Sequence, residues 1–235
     1  MRIRYASMED WPAVSEISTA SGYNDYINTI GPSYMNDGLV VVYEEEGRVL
    51  GFGKINYLED GSAWLSGLRV HPEAWRKGVG ISISRYLMQL AIEHGLYYAR
   101  MLIEDGNTRS INMSLKMGFS PIKSYSFFEG TPSTSGFKTV DFKGQIMVNE
   151  GWSFVKISDT YRGKGEFRES SEKTLVYVWN GSEKVVQVVS GGGDLKSERD
   201  GITCAPEADA GYLSKNFVPL DGFDSATIFE KALQP

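Results

Sequence analysis

The sequence predicts an α/β protein: a mixed sheet flanked by helices, followed by a second, smaller α+β domain. Three observations carry that expectation. Between residues 39 and 70, three apolar runs of strand length are joined by Glu46-Gly47 and Asp60-Gly61, which suit tight hairpin turns. The period then changes, because Val79, Ile83, Leu87, Leu90 and Ala91 recur at three- and four-residue spacing until Gly95, a natural helix stop. Finally, residues 131–136, TPSTSG, break the pattern with the composition of a linker.

In chain order, Arg2–Tyr5 alternates as a short strand. Ser7, with Asp10 three residues on, forms an imperfect capping box opening a helix whose buried face holds Trp11, Val14 and Ile17. Residues 23–38 are polar, aromatic and weakly periodic, the pattern of a short helix and loop that could line a pocket. Residues 39–43, 49–57 and 62–70 form an antiparallel meander, and the long helix follows. Residues 98–103 are apolar enough for a buried strand, Asn107 or Thr108 caps a helix running to about Met117, and residues 119–128 return to strand. The expected organisation is a first domain over 1–130, a linker over 131–136 and a companion domain over 137–235. In the companion, residues 174–189 form a hairpin around Asn180-Gly181, 191–201 a glycine-rich polar loop, and 226–230 a closing strand. No repeat of motif strength is visible. The hairpin and last strand resemble parts of the first half, so a decayed tandem copy and an unrelated companion both stay open.

Composition narrows the function classes. The chain has 235 residues, 41% hydrophobic, 12% aromatic and 23% charged, which suits a packed globular protein. Lys+Arg of 24 against Asp+Glu of 30 gives a net charge of -6, which argues against a polyanion-binding surface, so nucleic acid is not an expected partner. With one cysteine, Cys204, and two histidines, His71 and His94, neither an internal disulfide nor a Cys/His zinc cluster can be assembled. Cys204 is assigned to packing, and neither histidine to a site. The opening residues, MRIRYASMED, lack an apolar stretch, and no later run approaches about 18 apolar residues, so a cytoplasmic location without membrane contact is expected.

The chemistry lies in Leu68-Arg69-Val70-His71-Pro72-Glu73-Ala74-Trp75-Arg76-Lys77-Gly78-Val79-Gly80-Ile81. A strand ends, a short turn follows, and two glycines sit where the long helix begins. Backbone N–H groups at such a terminus are unpaired and the helix dipole adds partial positive charge, making an anion cradle. Glycine lets a phosphate approach the backbone. Arg76 and Lys77 add two cations in an otherwise acidic protein, so a pyrophosphate is the natural guest. There is no Gly-Lys-Ser/Thr of a Walker A loop, and Gly78-x-Gly80-x-x-Ile83 lacks the third glycine of a dinucleotide fingerprint. On these residues alone, a purely structural glycine pair stays open.

The segment resembles the acyl-CoA motif of the GCN5-related N-acetyltransferase (GNAT) family, an L-x-V strand, a turn, then Arg/Gln-x-x-Gly-x-Gly/Ala opening a long helix. Residues 107–119, NTRSINMSLKMGF, are similar to the family's N-x-x-A/S...K-x-G-F segment. The resemblance extends to the order of elements up to about Glu129, a little over half the chain. It implies acetyl-CoA as co-substrate, no metal, and direct acetyl transfer to an amine with both substrates bound. It implies cofactor contacts at Leu68, Arg69, Val70, Arg76, Lys77, Gly78, Val79, Gly80, Ile81, Asn107, Ser110 and Ser114. Backbone groups of Leu68 and Val70 would meet pantetheine and the acetyl carbonyl where two strands separate. Gly67 beside them fits a bulge. Asn107, Ser110 and Ser114, at i, i+3 and i+7, share one small polar helix face, turned to CoA or to solvent.

Three positions depart from the family pattern. Trp75 stands where Arg or Gln is usual, although Arg76 can supply the charge. Ser114 aligns with the tyrosine that many members use as an acid toward the leaving thiolate. Ser66 replaces the glutamate of related WLEGLRV-like strands, so the base is not identifiable by motif. An alkyl ammonium, with a pKa of about 10, must lose a proton before attack, and Glu104 is the first candidate base, with Glu59 and Asp60 behind it. The expected partner is a small-molecule or peptide amine; net charge favours a cationic acceptor without identifying it. Oligomeric state is not legible, and a homodimer stays open. Two alternatives remain at this point. One is a catalytically silent acyl-CoA-binding protein, a sensor or interaction module. The other is an interaction protein working through Tyr161, Phe167, Tyr177 and Trp179.

Overall fold

The computed structural model describes residues 1–22, 26–193 and 195–233. The chain divides into two compact units: Met1–Met101 with Leu115–Phe119 and Glu230–Pro235, and Leu102–Ser114 with Ser120–Phe229. In the first, β1 (Arg2–Tyr5), β2 (Leu39–Glu45), β3 (Arg48–Tyr57) and β4 (Ser62–Val70) pair antiparallel in that order. The β2–β3 turn has Glu46 at φ 51° and Gly47 at φ 77°, two left-handed residues of the kind that match hairpin twist. The register is that of the expected meander. Strand β5 (Tyr98–Glu104) runs parallel to β4 over Ser62–Trp64, which requires a crossover, and α3 (Val79–Glu93) supplies it. Buried Val79, Ile83, Leu87, Leu90 and Ala91 form its inner face, as the periodicity predicts. Gly51 and Gly53 of β3 let that face close on the sheet. A Cβ on Gly51 would lie 3.0 Å from the Val79 side chain, and one on Gly53 would lie 2.9 Å from Ile83.

The other side of this sheet is covered by α1 (Trp11–Ala20), α2 (Tyr26–Ile30) and a 3₁₀ turn over Gly31–Asn36, whose Val14, Ile17, Ile27 and Tyr34 pack with Val40, Val42 and Phe52. The capping box before α1 is present: the Asp10 carboxylate accepts from the Ser7 N–H at 2.8 Å and takes both terminal nitrogens of Arg4, each at 2.8 Å. Residues 23–25, part of the segment read as pocket lining, lie outside the described residues. Arg100, 2% exposed, donates to Asp60, Ser62 and Glu230 and so ties the start of β4 to β5.

The second unit contains α4 (Thr108–Lys116, to Ser114), β6 (Ser120–Pro132), β7 (Lys138–Thr139), β8 (Ile146–Asn149), β9 (Phe154–Ile157), β10 (Glu166–Glu169), β11 (Leu175–Asn180), β12 (Lys184–Ser190), β13 (Ser197–Pro206), α5 (Glu207–Leu213) and most of β14 (Ser225–Ala232). Its sheet runs β6-β13-β12-β11-β10-β7, all antiparallel except β12 with β13; β8 and β9 form a separate hairpin. The β11–β12 hairpin and β14 stand where the sequence places a hairpin and a closing strand. The glycine-rich loop is shorter than the expected 191–201, because β13 begins at Ser197; Asp194 lies outside the described residues. Strand β6 continues through Thr131 and Pro132 into the stretch read as a linker, and buried Thr131 donates its hydroxyl to the Asp200 carbonyl.

Tyr161, Phe167 and Tyr177 are buried and Trp179 is half-buried, so these aromatics build the interior of the unit instead of an open contact surface. Cys204 is fully buried, and burial pushes its thiol up to about 12, in keeping with packing. No helix among the described residues is long and apolar enough to cross a membrane.

Candidate functional site

The site begins with an irregularity in β4. Ser66 lies opposite Lys54 and Arg69 opposite Phe52, so Gly67 and Leu68 together face Gly53, and the strand bulges there as expected. Gly67 has φ +61°, and a Cβ on it would lie 1.9 Å from the Tyr34 hydroxyl oxygen, so this place demands glycine twice over. Beyond the bulge, the His71 N–H donates to the Leu50 carbonyl at 2.9 Å. The alternation of an antiparallel ladder then turns the N–H and C=O of Val70 away from β3. On the other side, the ladder with β5 covers Ser62–Trp64 only. The edge of β4 around Leu68 and Val70 therefore presents backbone groups that can meet a ligand. Two neighbouring side chains use carbonyls there: Arg69 Nη1 donates to Leu68 at 3.0 Å, and Trp75 Nε1 donates to Val70 at 2.7 Å.

The turn after β4 is fixed locally. Its 3₁₀ segment, Pro72–Ala74, is capped by His71, whose Nδ1 accepts from the Glu73 N–H at 3.3 Å. Arg76 follows with φ +63°, uncommon for a residue with a Cβ, and Gly78 with φ +81° is the N-cap of α3. No side chain caps this helix and its first turn holds no acidic residue. The Ser82 N–H is the donor that reaches Gly78, at 2.9 Å, so the N–H groups of Val79, Gly80 and Ile81 precede the intrahelical ladder. Arg76 and Lys77 are exposed beside them and make no ion pair or hydrogen bond among the described residues. A 15-residue helix start without a competing cap, flanked by two available cations, is chemically suited to a phosphate or pyrophosphate.

Leu68 to Ile81 thus fall in the first unit, whereas Glu104, Asn107, Ser110 and Ser114 fall in the second. Asn107 caps α4, its Oδ1 accepting from the Ser110 N–H at 3.1 Å. Ser110 is half-buried. Ser114 is completely buried and its hydroxyl donates to the Ile111 carbonyl at 2.8 Å, so the three residues do not form one open polar face. Glu104 ends β5, its carbonyl accepting from the Asn107 N–H at 2.9 Å. Its half-buried carboxylate makes no hydrogen bond or ion pair among the described residues. Glu59 is exposed on the β3–β4 hairpin. Asp60 has a side chain only 2% exposed and is bound by Arg100 at 2.5 Å, which makes it a structural ion-pair partner instead of a base.

Sequence reasoning passed over a cluster beside the bulge. The Lys54 ammonium is buried, 2.7 Å from Asp37 Oδ2 and 4.6 Å from the centre of the Tyr34 ring. Two signals were available: a lysine between Gly53 and Ile55 in a buried strand, and the aromatic segment that holds Tyr34. Among the described residues, no group of three or more His, Cys, Asp or Glu is placed to hold a metal ion. A cavity of about 510 Å³ in the second unit is lined by Glu129, Ser197, Arg199, Asp200 and Asn216 among others, and none of the site residues named above lines it.

The sequence profile described as Acetyltransferase (GNAT) family matches residues 3–119. Among solved structures, a protein from Thermoplasma acidophilum named a "putative acetyltransferase" is similar over 99% of this chain and 100% of its own, with 18% identity and a TM-score of 0.70. A protein from Pyrococcus horikoshii of the same description covers 99% of this chain and 89% of its own, with 15% identity and a TM-score of 0.58. At such identities the likeness concerns the fold. No curated protein matches the sequence.

Proposed function

The chain belongs, through residues 3–119, to the acetyltransferase (GNAT) family, and from that premise we propose that it transfers an acetyl group from acetyl-CoA directly to a primary amine, both substrates being bound together. The observation that carries the reading is the uncapped start of α3 beside Arg76 and Lys77, placed one turn after a strand whose edge presents backbone groups away from β3. The pyrophosphate would take the N–H groups of Val79, Gly80 and Ile81, with the two cations alongside. Pantetheine would follow β4 past Val70 and Arg69, and the Leu68 N–H at the bulge would polarise the acetyl carbonyl. Asn107 and Ser110 complete the proposed donor contacts. The acceptor is a small-molecule or peptide amine.

Two proton transfers must be accounted for. The acceptor ammonium needs a base, and Glu104 is proposed because its carboxylate makes no hydrogen bond or ion pair among the described residues. The departing sulfur resembles a cysteine thiol, with a pKa of about 8.5, and leaves as thiolate without an acid, so Ser114 is not required in that role. Calorimetry with acetyl-CoA tests binding. Gly80→Glu is expected to abolish it by putting bulk and negative charge where the pyrophosphate meets the backbone, and a wild-type protein without acetyl-CoA affinity at low salt would defeat the reading. Thiol release with a panel of primary amines tests transfer, and Glu104→Gln is expected to lower kcat with acetyl-CoA affinity unchanged. A second reading, a silent acyl-CoA-binding protein, is favoured by the commitment of Asp60, one of the three candidate bases, to Arg100; it predicts acetyl-CoA binding with no thiol release for any amine.

A further inference from the structure

Trp75 occupies a carbonyl that the acetyl-CoA reading gives to the donor. Its indole Nε1 lies 2.7 Å from the Val70 oxygen. The ring is brought there by the turn between them, in which the Ala74 N–H donates to His71 at 2.9 Å and the Trp75 N–H to Pro72 at 3.1 Å. Since the His71 N–H bonds Leu50, Val70 is turned toward the edge of β4 away from β3, and the indole sits on that edge. An indole at hydrogen-bond distance from the carbonyl fills the space that an approaching amide N–H needs. Trp75 is also 38% exposed, so part of the residue already faces solvent.

We propose that Trp75 is a donor-site residue whose indole competes with pantetheine for the Val70 carbonyl, and that acetyl-CoA binds by displacing the indole from Val70. The inference rests on the acetyl-CoA reading above and adds a competition to it. While the indole holds the Val70 carbonyl, the strand edge is taken and the start of α3 is not. The measured affinity for a ligand with pantetheine is then lowered by the fraction of protein whose Val70 carbonyl is free, whereas a ligand confined to the phosphates is unaffected.

The test compares acetyl-CoA with 3′-phospho-ADP, which keeps the phosphates and lacks pantetheine, by calorimetry on wild type and Trp75→Phe. The phenyl ring keeps apolar bulk and removes the donor. Acetyl-CoA is expected to bind the variant about fivefold more tightly, the worth of one net hydrogen bond, with 3′-phospho-ADP unchanged. Unchanged or weaker acetyl-CoA binding, or an equal gain for both ligands, would overturn the proposal. A second readout is tryptophan emission: acetyl-CoA should shift that of wild type, 3′-phospho-ADP should not, and the shift should disappear in Trp75→Phe. A shift retained in the variant counts against it. Wild-type protein that binds neither ligand would instead defeat the acetyl-CoA reading itself.

Discussion

Arg76→Gly should raise stability and, on the acetyl-CoA reading, lower donor affinity at once, because Arg76 has a strained backbone and carries one of the two proposed phosphate-binding cations. Arg76 has φ +63°, a region in which a side chain with a Cβ costs roughly 1–2 kcal/mol. Glycine removes that strain but gives back about 0.5–1 kcal/mol through the greater freedom of the unfolded chain. The net gain is about 0.5–1 kcal/mol. At this chain length 1 kcal/mol moves the melting temperature by about 2–4 °C, so the variant should melt about 1–4 °C higher. The guanidinium makes no ion pair or hydrogen bond among the described residues, so no protein contact is lost. The proposed charge-assisted hydrogen bond to a phosphate would be lost, worth about 1.5–3 kcal/mol before solvent screening, and acetyl-CoA affinity should fall about tenfold at this exposed site. The weakening should shrink as salt rises. Thermal melting without ligand and calorimetry at two salt concentrations measure both effects. Arg76→Ala is the comparison: it loses the charge, keeps the strain, and should lose affinity without gaining stability. A lower melting temperature for Arg76→Gly, or an unchanged affinity, would refute the reasoning.

Three further outcomes are expected. Gly67→Ala should cost about 2–4 kcal/mol in urea unfolding, from positive φ and from the 1.9 Å approach to the Tyr34 hydroxyl, and Tyr34→Phe in that background should recover part of the loss. Ser114→Ala should reduce amine turnover less than about tenfold, because the hydroxyl is bonded to Ile111; a loss of several hundredfold with acetyl-CoA affinity unchanged would make Ser114 catalytic. Asp10→Asn should destabilise the protein by about 2 kcal/mol at pH 7. The hydrogen bonds from Arg4, and less strongly that from the Ser7 N–H, hold the Asp10 carboxyl below its usual range despite burial. A depressed carboxylate stabilises fully above its unfolded pKa of about 4 and loses that contribution as pH falls through its folded value, so the gap between wild type and variant should be constant above about pH 5 and narrow below about pH 4. A gap that widens in acid would contradict this assignment.

How much of this was legible depended on the range of the interaction. The β2–β3–β4 meander and α3 were readable because turn glycines and apolar period are local signals. The uncapped start of α3 beside Arg76 and Lys77 was readable for the same reason, since these residues are contiguous in sequence. Ser114 was misplaced because spacing identifies a helix face without saying which face packs: in α4, Ser114 is buried while Leu115 is 46% exposed. Thr131 and Pro132 have loop composition, yet β13 pairs with them, a contact more than sixty residues away that composition does not encode. Trp75 was counted only as a missing charge; its hydrogen bond to Val70 depends on the path of the turn. The faint internal likeness now has a topological counterpart. An antiparallel β10–β11–β12 set, then β13 parallel to β12, then α5 and β14, repeats the order β2–β3–β4, β5, α4 and β6. Where the first series has α3 between its parallel strands, the second has no helix among the described residues, and so lacks a counterpart of the uncapped terminus.

Ser66, at the position where similar WLEGLRV-like strands carry a glutamate, also has a local electrostatic context. Ser66 lies directly opposite Lys54 on the β3–β4 ladder, so the two side chains emerge on the same face. An ammonium that is 6% exposed needs a carboxylate partner, and Asp37, whose side chain is 73% exposed, provides it at 2.7 Å. A glutamate at position 66 would be a second acid beside one ammonium, competing with Asp37 for the same proton donor. With serine there, the charge balance of the cluster is one to one and Lys54 is held by a group at the protein surface. The cluster around Lys54 is therefore a charge-balanced pair beside the β4 bulge.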